Sequence, residues 1–334
     1  MKAVILTKIN EPLQVQELEI PVPGKGEILI RVYVAGVNYS DIQKYKGRYF
    51  NMPVLPLTLG LEVAGIVEVN GEDTNQALHG KRVVALLGKM GFQGGFAEYA
   101  LAKEEEVIEL PDNVSFEDGL AVPVQGLTAW FLLTEQARIS SGDSIFIHAA
   151  AGGVGTIAIQ LAKILGVKKV IAGASSEDKL TLAQSLGADV LINYSEPGWT
   201  DKIMAATEGK GVNIILSSAA GDIATDSLKI LAPFGRLLVL GSVFSTNWTS
   251  AHIAALMGKS QSIAGFFVGS YTELPENYNK ASAYLLELIA EGSLKIVSGF
   301  KYELNDAQQA LDDIDSRMTM GKAALRTAFY TVNN

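Results

Sequence analysis

Residues 148–166 read HAAAGGVGTIAIQLAKILG. The residues just before, DSIFIH (143–148), form a short apolar run that reads as a buried strand. The residues after the glycines place Ile157, Leu161, Ile164 and Leu165 at helical spacing, so they are expected on one buried face. Between strand and helix, Ala150, Gly152 and Gly155 occupy the three places of a G-x-G-x-x-G pattern, the first as alanine. In that setting Gly152 lets the backbone approach a pyrophosphate, and Gly155 lets the helix pack tightly on the sheet. The helix N-terminus then offers N–H groups and a positive dipole end to the anion. A glycine turn that merely permits packing is the alternative, and the strands and helices that alternate on its C-terminal side weigh against it.

Around this turn the sequence has a regular rhythm. Strands are expected at about 144–149, 170–174, 189–193, 212–218, 236–241 and 261–267. They alternate with helices at about 154–165, 177–186, 199–208 and 223–231. Near-continuous apolar strands joined by helical crossovers imply a doubly wound parallel sheet. The first hundred residues differ: AVILT, LQVQELEI, EILIRVYVAGV, LEVAGIVEV, KRVVALL and FAEYALA are short, β-branched and broken by Pro and Gly. They suit a β-rich, partly open barrel, with VQELEI as a strand wet on one face. A helical stretch from Phe116 to Ala137, bent at Pro123, leads into the parallel sheet. From Glu276 a helix, a short strand, another helix and KAALRTAFY return to the mixed texture. The expected division is therefore 1–122 and 268–334 as one domain, with 123–267 inserted as the parallel-sheet domain.

Length and composition agree. A chain of 334 residues, 48% hydrophobic and 19% charged, has material for two cores. A formal net charge of −9 argues against nucleic acid as a partner. With no cysteine, disulfides and thiolate metal sites are excluded. MKAVILTKINEPLQVQ reads as a strand and not a signal peptide, and no apolar run is long enough to span a bilayer, so a soluble cytoplasmic protein is expected.

The second strand of the inserted domain bears on which dinucleotide would bind. Where an Asp or Glu would hold a ribose diol, Gly173, Ala174, Ser175 and Ser176 stand, with Lys179 beyond. Two hydroxyls and an ammonium suit a 2′-phosphate, which a carboxylate would repel. The alternative is that Ser175 caps the next helix and Lys179 belongs to a solvated face.

AGVNYSDIQKYKGRY (35–49), LGLEVAGIVEVNG (59–71), GGFAEYALA (94–102), VQGLTAWFLL (124–133), the glycine turn, SLGADVLINY (185–194) and GKAAL (321–325) together resemble a known family. It is the zinc-free, zeta-crystallin-like quinone oxidoreductases of the medium-chain dehydrogenase/reductase superfamily. The resemblance implies an α/β protein: a GroES-like domain, a Rossmann domain with a six-stranded parallel sheet, and a cleft between them holding NADPH. It implies Asn38 and Thr128 near the nicotinamide, and Gly152, Gly153 and Val154 at the pyrophosphate. Ser175, Lys179 and Tyr194 would hold the 2′-phosphate. Gly241 and Ser242 would border the nicotinamide ribose, and Phe266, Phe267 and Val268 would contact the carboxamide. SSAAG (217–221) departs from the family, with Ser217 at an acid's place and Ala220 at a glycine's, so that only Ser218 is carried over there.

Zinc-dependent relatives bind metal through a Gly-His-Glu motif and cysteines. Here Leu61 stands at the histidine's place, and His79, His148 and His252 have no ligand partner at recognisable spacing, so no metal is expected. His148 reads as a satisfied core or turn histidine. Without a Lewis acid, an acceptor that takes hydride readily suits the site, such as a quinone or an α,β-unsaturated carbonyl. Asn38, Tyr39 and Asp41 are the catalytic candidates. Asn38 would donate its amide to a carbonyl or a ribose. Tyr39 would be a proton donor or an aromatic wall, and Asp41 would orient neighbours or cap the next helix. The glycine-rich loop LGKMGFQGGFAEY (87–99), with Met90 and Phe92, is either a closing loop or a plain hairpin. Lys44, Lys46 and Arg48 would form a basic mouth in an enoyl-thioester reductase, or simply a solvated cluster. A binding protein that keeps the cofactor without turnover is the other alternative. The resemblance also implies a homodimer, joined through the apolar edge strand SIAGFFV (262–268).

Overall fold

The structure is a computed structural model, and it describes residues 1–88, 94–219, 221–241 and 248–330. The chain divides into two compact units, Met1–Leu127 with Gly269–Asn334, and Thr128–Val268.

The first unit is built on Glu27–Val37, an eleven-residue strand buried along nearly its whole length. On one side it pairs antiparallel with Glu62–Asn70. On the other it pairs first with Tyr99–Lys103 and then with Ala323–Arg326. Register irregularities between Leu29 and Ile30, and between Val32 and Val34, add the twist that begins to curl the sheet. Arg82–Leu86 and Val107–Glu109 extend one side, and Phe300–Glu303 the other. Val4, Ile28, Val32, Val63 and Phe96 share a core with Leu304, Leu311 and Leu325, so both ends of the chain bury their apolar surface together. The strand Gln14–Glu17 is wet on both faces, not one, because it is a four-residue edge of a small separate sheet.

The stretch expected as one bent helix is broken up. Phe116–Gly119 and Leu127–Phe131 are α-helical, and Val122–Gly126 and Leu132–Gln136 are π turns. Gly126 N–H reaches the carbonyl of Ala121 and Ala137 N–H that of Leu132, each five residues back. Pro123, which has no N–H to give, sits inside the first of these wide turns.

The second unit is the expected six-stranded parallel sheet. Its spatial order is Val190–Asn193, Lys169–Ala174, Ser144–Ile147, Val212–Ser217, Leu231–Val239 and Ser262–Gly265. The order reverses between Ser144–Ile147 and Val212–Ser217, which creates the crevice at strand C-termini where doubly wound sheets bind ligands. The helix after the glycine turn runs Gly153–Ile164 and is buried from Gly155 to Ala162. Ile157 and Leu161 are in the core as expected, but Ile164 is exposed, because the helix ends there and leaves the sheet. Among the described residues no helix is long and apolar enough to cross a membrane.

Candidate functional site

In the second unit the glycine turn lies directly on the switch point. Gly152 is the N-cap of the helix in extended conformation, and no side chain caps it. The first N–H groups of Gly153–Ile164 are therefore left to a ligand or to water. An ordinary Cβ at Gly155 would fall on the carbonyl oxygen of Ala149, so this glycine is what seats the helix against the turn. At Gly152 a Cβ would stand 3.1 Å from the same oxygen, tight but tolerable, so glycine there keeps the outer face of the turn open. Ala149 carries a φ of 47°, a left-handed conformation that costs a non-glycine residue about 1 kcal/mol and shows how sharply the chain bends.

Ala174 and Asn193 pair in register at the ends of adjacent parallel strands, which brings Ser175 and Tyr194 side by side. Lys179 lies in the first turn or so of the helix Glu177–Ser185 that follows. The cap of that helix is Ser176, not Ser175, and it makes no side-chain cap bond, which removes the capping alternative for Ser175. The strand end itself carries hydroxyls and no carboxylate, while Glu177 and Asp178, which precede Lys179, are exposed in the first turn of the helix. Ser218 follows Val212–Ser217 across the switch point and is half-buried, while the Ser217 hydroxyl beneath is buried without a partner among the described residues. Gly241 has φ +75°, and among the described residues nothing lies within 4 Å of where a Cβ would stand. The last strand stops at Gly265, short of the expected FFV: Phe266 and Phe267 follow it as irregular chain, with Phe266 N–H bonded to the Val239 carbonyl at 2.9 Å, and Val268 opens a 3-10 turn. Thr128 is buried. Ser242, Ala220, Met90 and Phe92 lie outside the described residues.

His148 ends the strand before the glycine turn and differs from the sequence reading. It is buried, but only half satisfied. The Ser227 hydroxyl donates to the Ile223 carbonyl at 2.7 Å and so accepts from His148 Nε2 at 3.2 Å. Nδ1 is left bare, with no partner among the described residues. Phe146, Tyr194 and Trp199 meet the ring edge to face. Burial drives its pKa down to about 3, so the imidazole is neutral at physiological pH.

In the first unit, Asn38 precedes the helix Tyr39–Tyr45. Asp41 fixes that start: one carboxylate oxygen accepts the Asn38 N–H at 2.9 Å, the other the Gly60 N–H at 3.3 Å. Asp41 is fully buried, and burial raises its pKa against the opposing pull of Lys44. Tyr39, at the first helical position, is exposed. The basic mouth is not formed as expected. Lys44 is fully buried with its ammonium 5.3 Å from the Tyr49 ring centroid, Lys46 pairs with Asp315, and only Arg48 is exposed. Burial pulls the Lys44 pKa down while Asp41 opposes it.

Three residues absent from the sequence reading complete this polar cluster of the first unit. The Asn38 side-chain nitrogen donates to Glu62 Oε1 at 2.7 Å, and Lys322 pairs with the same oxygen and approaches Asn38 Oδ1 at 3.3 Å. Both Glu62 and Lys322 are almost completely buried. Gly36 makes room for them, since a Cβ there would overlap the Glu62 carboxylate. The signal in the sequence was a carboxylate amid the apolar run LEVAGIV, which requires a buried partner. Glu62 Oε2, Gln125 Oε1 and the Tyr278 hydroxyl are also buried without partners among the described residues. The Tyr278 proton is held more tightly than usual by burial and by the charges of Glu106 and Glu62. Among the described residues no three His, Asp or Glu side chains gather as a metal site.

Comparison with known proteins places this architecture. The family described as alcohol dehydrogenase GroES-like domain matches residues 24–112, and that described as zinc-binding dehydrogenase matches residues 153–287. A quinone oxidoreductase from Sus scrofa is 34% identical over 330 residues, covering 97% of each chain. One from Pseudomonas aeruginosa is 33% identical over 316 residues, covering 94% of this chain and 95% of its own. The crystal structure of Escherichia coli quinone oxidoreductase complexed with NADPH superposes with a TM-score of 0.90 at 30% identity, covering 98% of this chain and all of that one. The chain belongs to the zinc-free quinone oxidoreductase family of the medium-chain dehydrogenase/reductase superfamily.

Proposed function

We propose that the protein is an NADPH-dependent, zinc-independent oxidoreductase that reduces a quinone or an α,β-unsaturated carbonyl. The observation that carries this reading is the uncapped helix N-terminus at Gly152–Gly153, set at the switch point beside the hydroxyls of Ser175 and Tyr194. The fit to a phosphorylated dinucleotide is good. Gly152, Gly153 and Val154 would hold the pyrophosphate, and Ser175, Lys179 and Tyr194 the 2′-phosphate. Thr128, Ser218, Gly241, Ser242, Phe266, Phe267 and Val268 would surround the nicotinamide half, with Asn38 from the other unit. Reduced nicotinamide supplies the hydride. The protein's part is to orient the acceptor and meet the charge that develops on its oxygen, for which Tyr39 offers an exposed hydroxyl. Asp41 holds the backbone from which Asn38 and Tyr39 project. The loss of Lys44 and Lys46 from the expected basic mouth disfavours a phosphopantetheine-borne substrate.

Steady-state oxidation of NADPH against a small quinone, an enone and a crotonyl thioester tests the reading. Turnover is expected with the first two. Binding without turnover on any acceptor overturns the enzyme reading in favour of a cofactor-binding protein. NADPH is expected to bind at least tenfold more tightly than NADH, and Lys179→Ala to remove most of that difference, since a charge-assisted contact is worth about 1.5–3 kcal/mol. Equal dissociation constants for the two cofactors in the wild type would remove the 2′-phosphate assignment.

The reading includes a homodimer. Among the described residues Ser262–Gly265 is an unpaired sheet edge, and the helix Ser250–Met257 that precedes it buries none of its residues, exposing Ile253 and Met257, with Phe234 exposed on the adjoining strand Leu231–Val239. Light scattering is expected to give twice the chain mass, and Ile253→Lys with Met257→Lys to shift it toward one. A monomeric wild type would end this part.

A further inference from the structure

We propose that Glu62 and Lys322 are positioning residues that present the side chain of Asn38 to its ligand as a hydrogen-bond acceptor and not as a donor. This rests on the reading that Asn38 borders the reaction centre. The argument turns on what each group is chemically able to do. An ammonium only donates, and an ionised carboxylate only accepts. Asn38 sits between the two: Nδ2 lies 2.7 Å from Glu62 Oε1, and Oδ1 lies 3.3 Å from Lys322 Nζ. Turning the amide over would set NH₂ against ammonium and oxygen against carboxylate, two repulsive pairs in a site closed to bulk solvent. The orientation follows from the identity of the neighbours and does not depend on telling N from O.

What remains of the amide's capacity is then countable. One Nδ2–H is taken by Glu62, and the second faces the Gly36 carbonyl at 3.5 Å. Oδ1 has accepted one donor and keeps one lone pair. A ligand meeting Asn38 therefore has to bring an O–H or N–H, such as a sugar hydroxyl or a carboxamide. An oxygen that gains negative charge during reduction would be repelled there, which leaves its stabilisation to the exposed Tyr39 hydroxyl or to water. Backbone anchoring by Asp41 fixes where Asn38 stands, and the Glu62–Lys322 pair fixes which way its amide faces.

Removing Lys322 alone strands a buried carboxylate and threatens folding. The informative variant is therefore the double Glu62→Gln, Lys322→Met, which removes both charges and frees the amide to rotate. NADPH binding, read by cofactor fluorescence, is expected to weaken at least tenfold in this full-length variant. KM for NADPH is expected to rise more than kcat falls, and the melting temperature to stay near wild type. Asn38→Ala is expected to cause a similar loss, and to add nothing when combined with the double variant. A double variant that binds NADPH within twofold of wild type, while Asn38→Ala alone loses tenfold or more, overturns the proposal. If Asn38→Ala itself binds and turns over as wild type, the proposal falls too. The oxidoreductase reading is judged separately by wild-type turnover. Should the double variant not fold, nuclear magnetic resonance of the wild type decides. The Asn38 side-chain amide signal, identified by its loss in Asn38→Ala, should be protected from solvent exchange and move little on adding NADPH. A large downfield shift of that amide would mean that it donates to the ligand, and would sink the idea.

Discussion

Alanine at position 155 is expected to abolish NADPH binding and to destabilise the fold by about 1–3 kcal/mol, the usual range for forcing atoms into a filled site. The added Cβ would fall on the Ala149 carbonyl oxygen and close to the Ala150 backbone. Backbone cannot step aside as a flexible side chain does, so the helix Gly153–Ile164 must lift from the sheet, and its N-terminal N–H groups move with it. Alanine at position 152 is expected to behave differently. Its Cβ would stand 3.1 Å from the same oxygen, close enough to require only a small adjustment, so the melting temperature should change little. It would nevertheless occupy the outer face of the turn, and NADPH affinity should fall at least tenfold. Thermal melts and calorimetric titrations of the two variants separate packing from binding. A Gly152→Ala protein with unchanged affinity would show that no phosphate approaches there.

The second large effect concerns acid. His148 has a folded pKa of about 3 because burial disfavours the imidazolium, whereas the unfolded chain takes up a proton near 6.5. Stability from this group is therefore complete above pH 6.5 and lost as pH falls toward 3. Linkage makes the slope about 1.4 kcal/mol per pH unit through that window, for a total of the order of 4 kcal/mol. His148→Phe keeps a ring among Phe146, Tyr194 and Trp199 and gives up one hydrogen bond, to Ser227. It is expected to be somewhat less stable at pH 7 and to lose less stability on acidification. The check is urea unfolding at several pH values, in which the wild type should show a steeper acid limb by about one proton. Equal slopes for wild type and variant would mean that the imidazole is protonated in the fold.

Much of the second unit was legible because local periodicity carries it. Apolar runs of strand length, glycine turns and helical spacing recur often enough that the six strands fall close to their expected places, whereas their order across the sheet is read from the pairing alone. Errors arose at ends and at side-chain level. Ile164 has helical spacing but lies where the helix outruns the sheet, and Ser175 and Ser176 are equally good caps until the backbone selects the second. Lys44 reads as a surface charge in KYKGR, yet the helix turns it inward toward Asp41.

The family, the glycine turn and the absence of thiolate ligands were determined by residue types standing close together in sequence. Such patterns encode backbone needs that act over a few residues: room at Gly155, an open N-terminus, a strand end without a carboxylate. What only the tertiary structure decided is the polar interior of the first unit. Glu62 and Lys322 are 260 residues apart, brought together because Ala323–Arg326 and Glu62–Asn70 flank the same strand, Glu27–Val37. A buried carboxylate announces that it needs a partner, but which cation supplies it, and which way the amide between them must face, depends on strand pairing that no local pattern records.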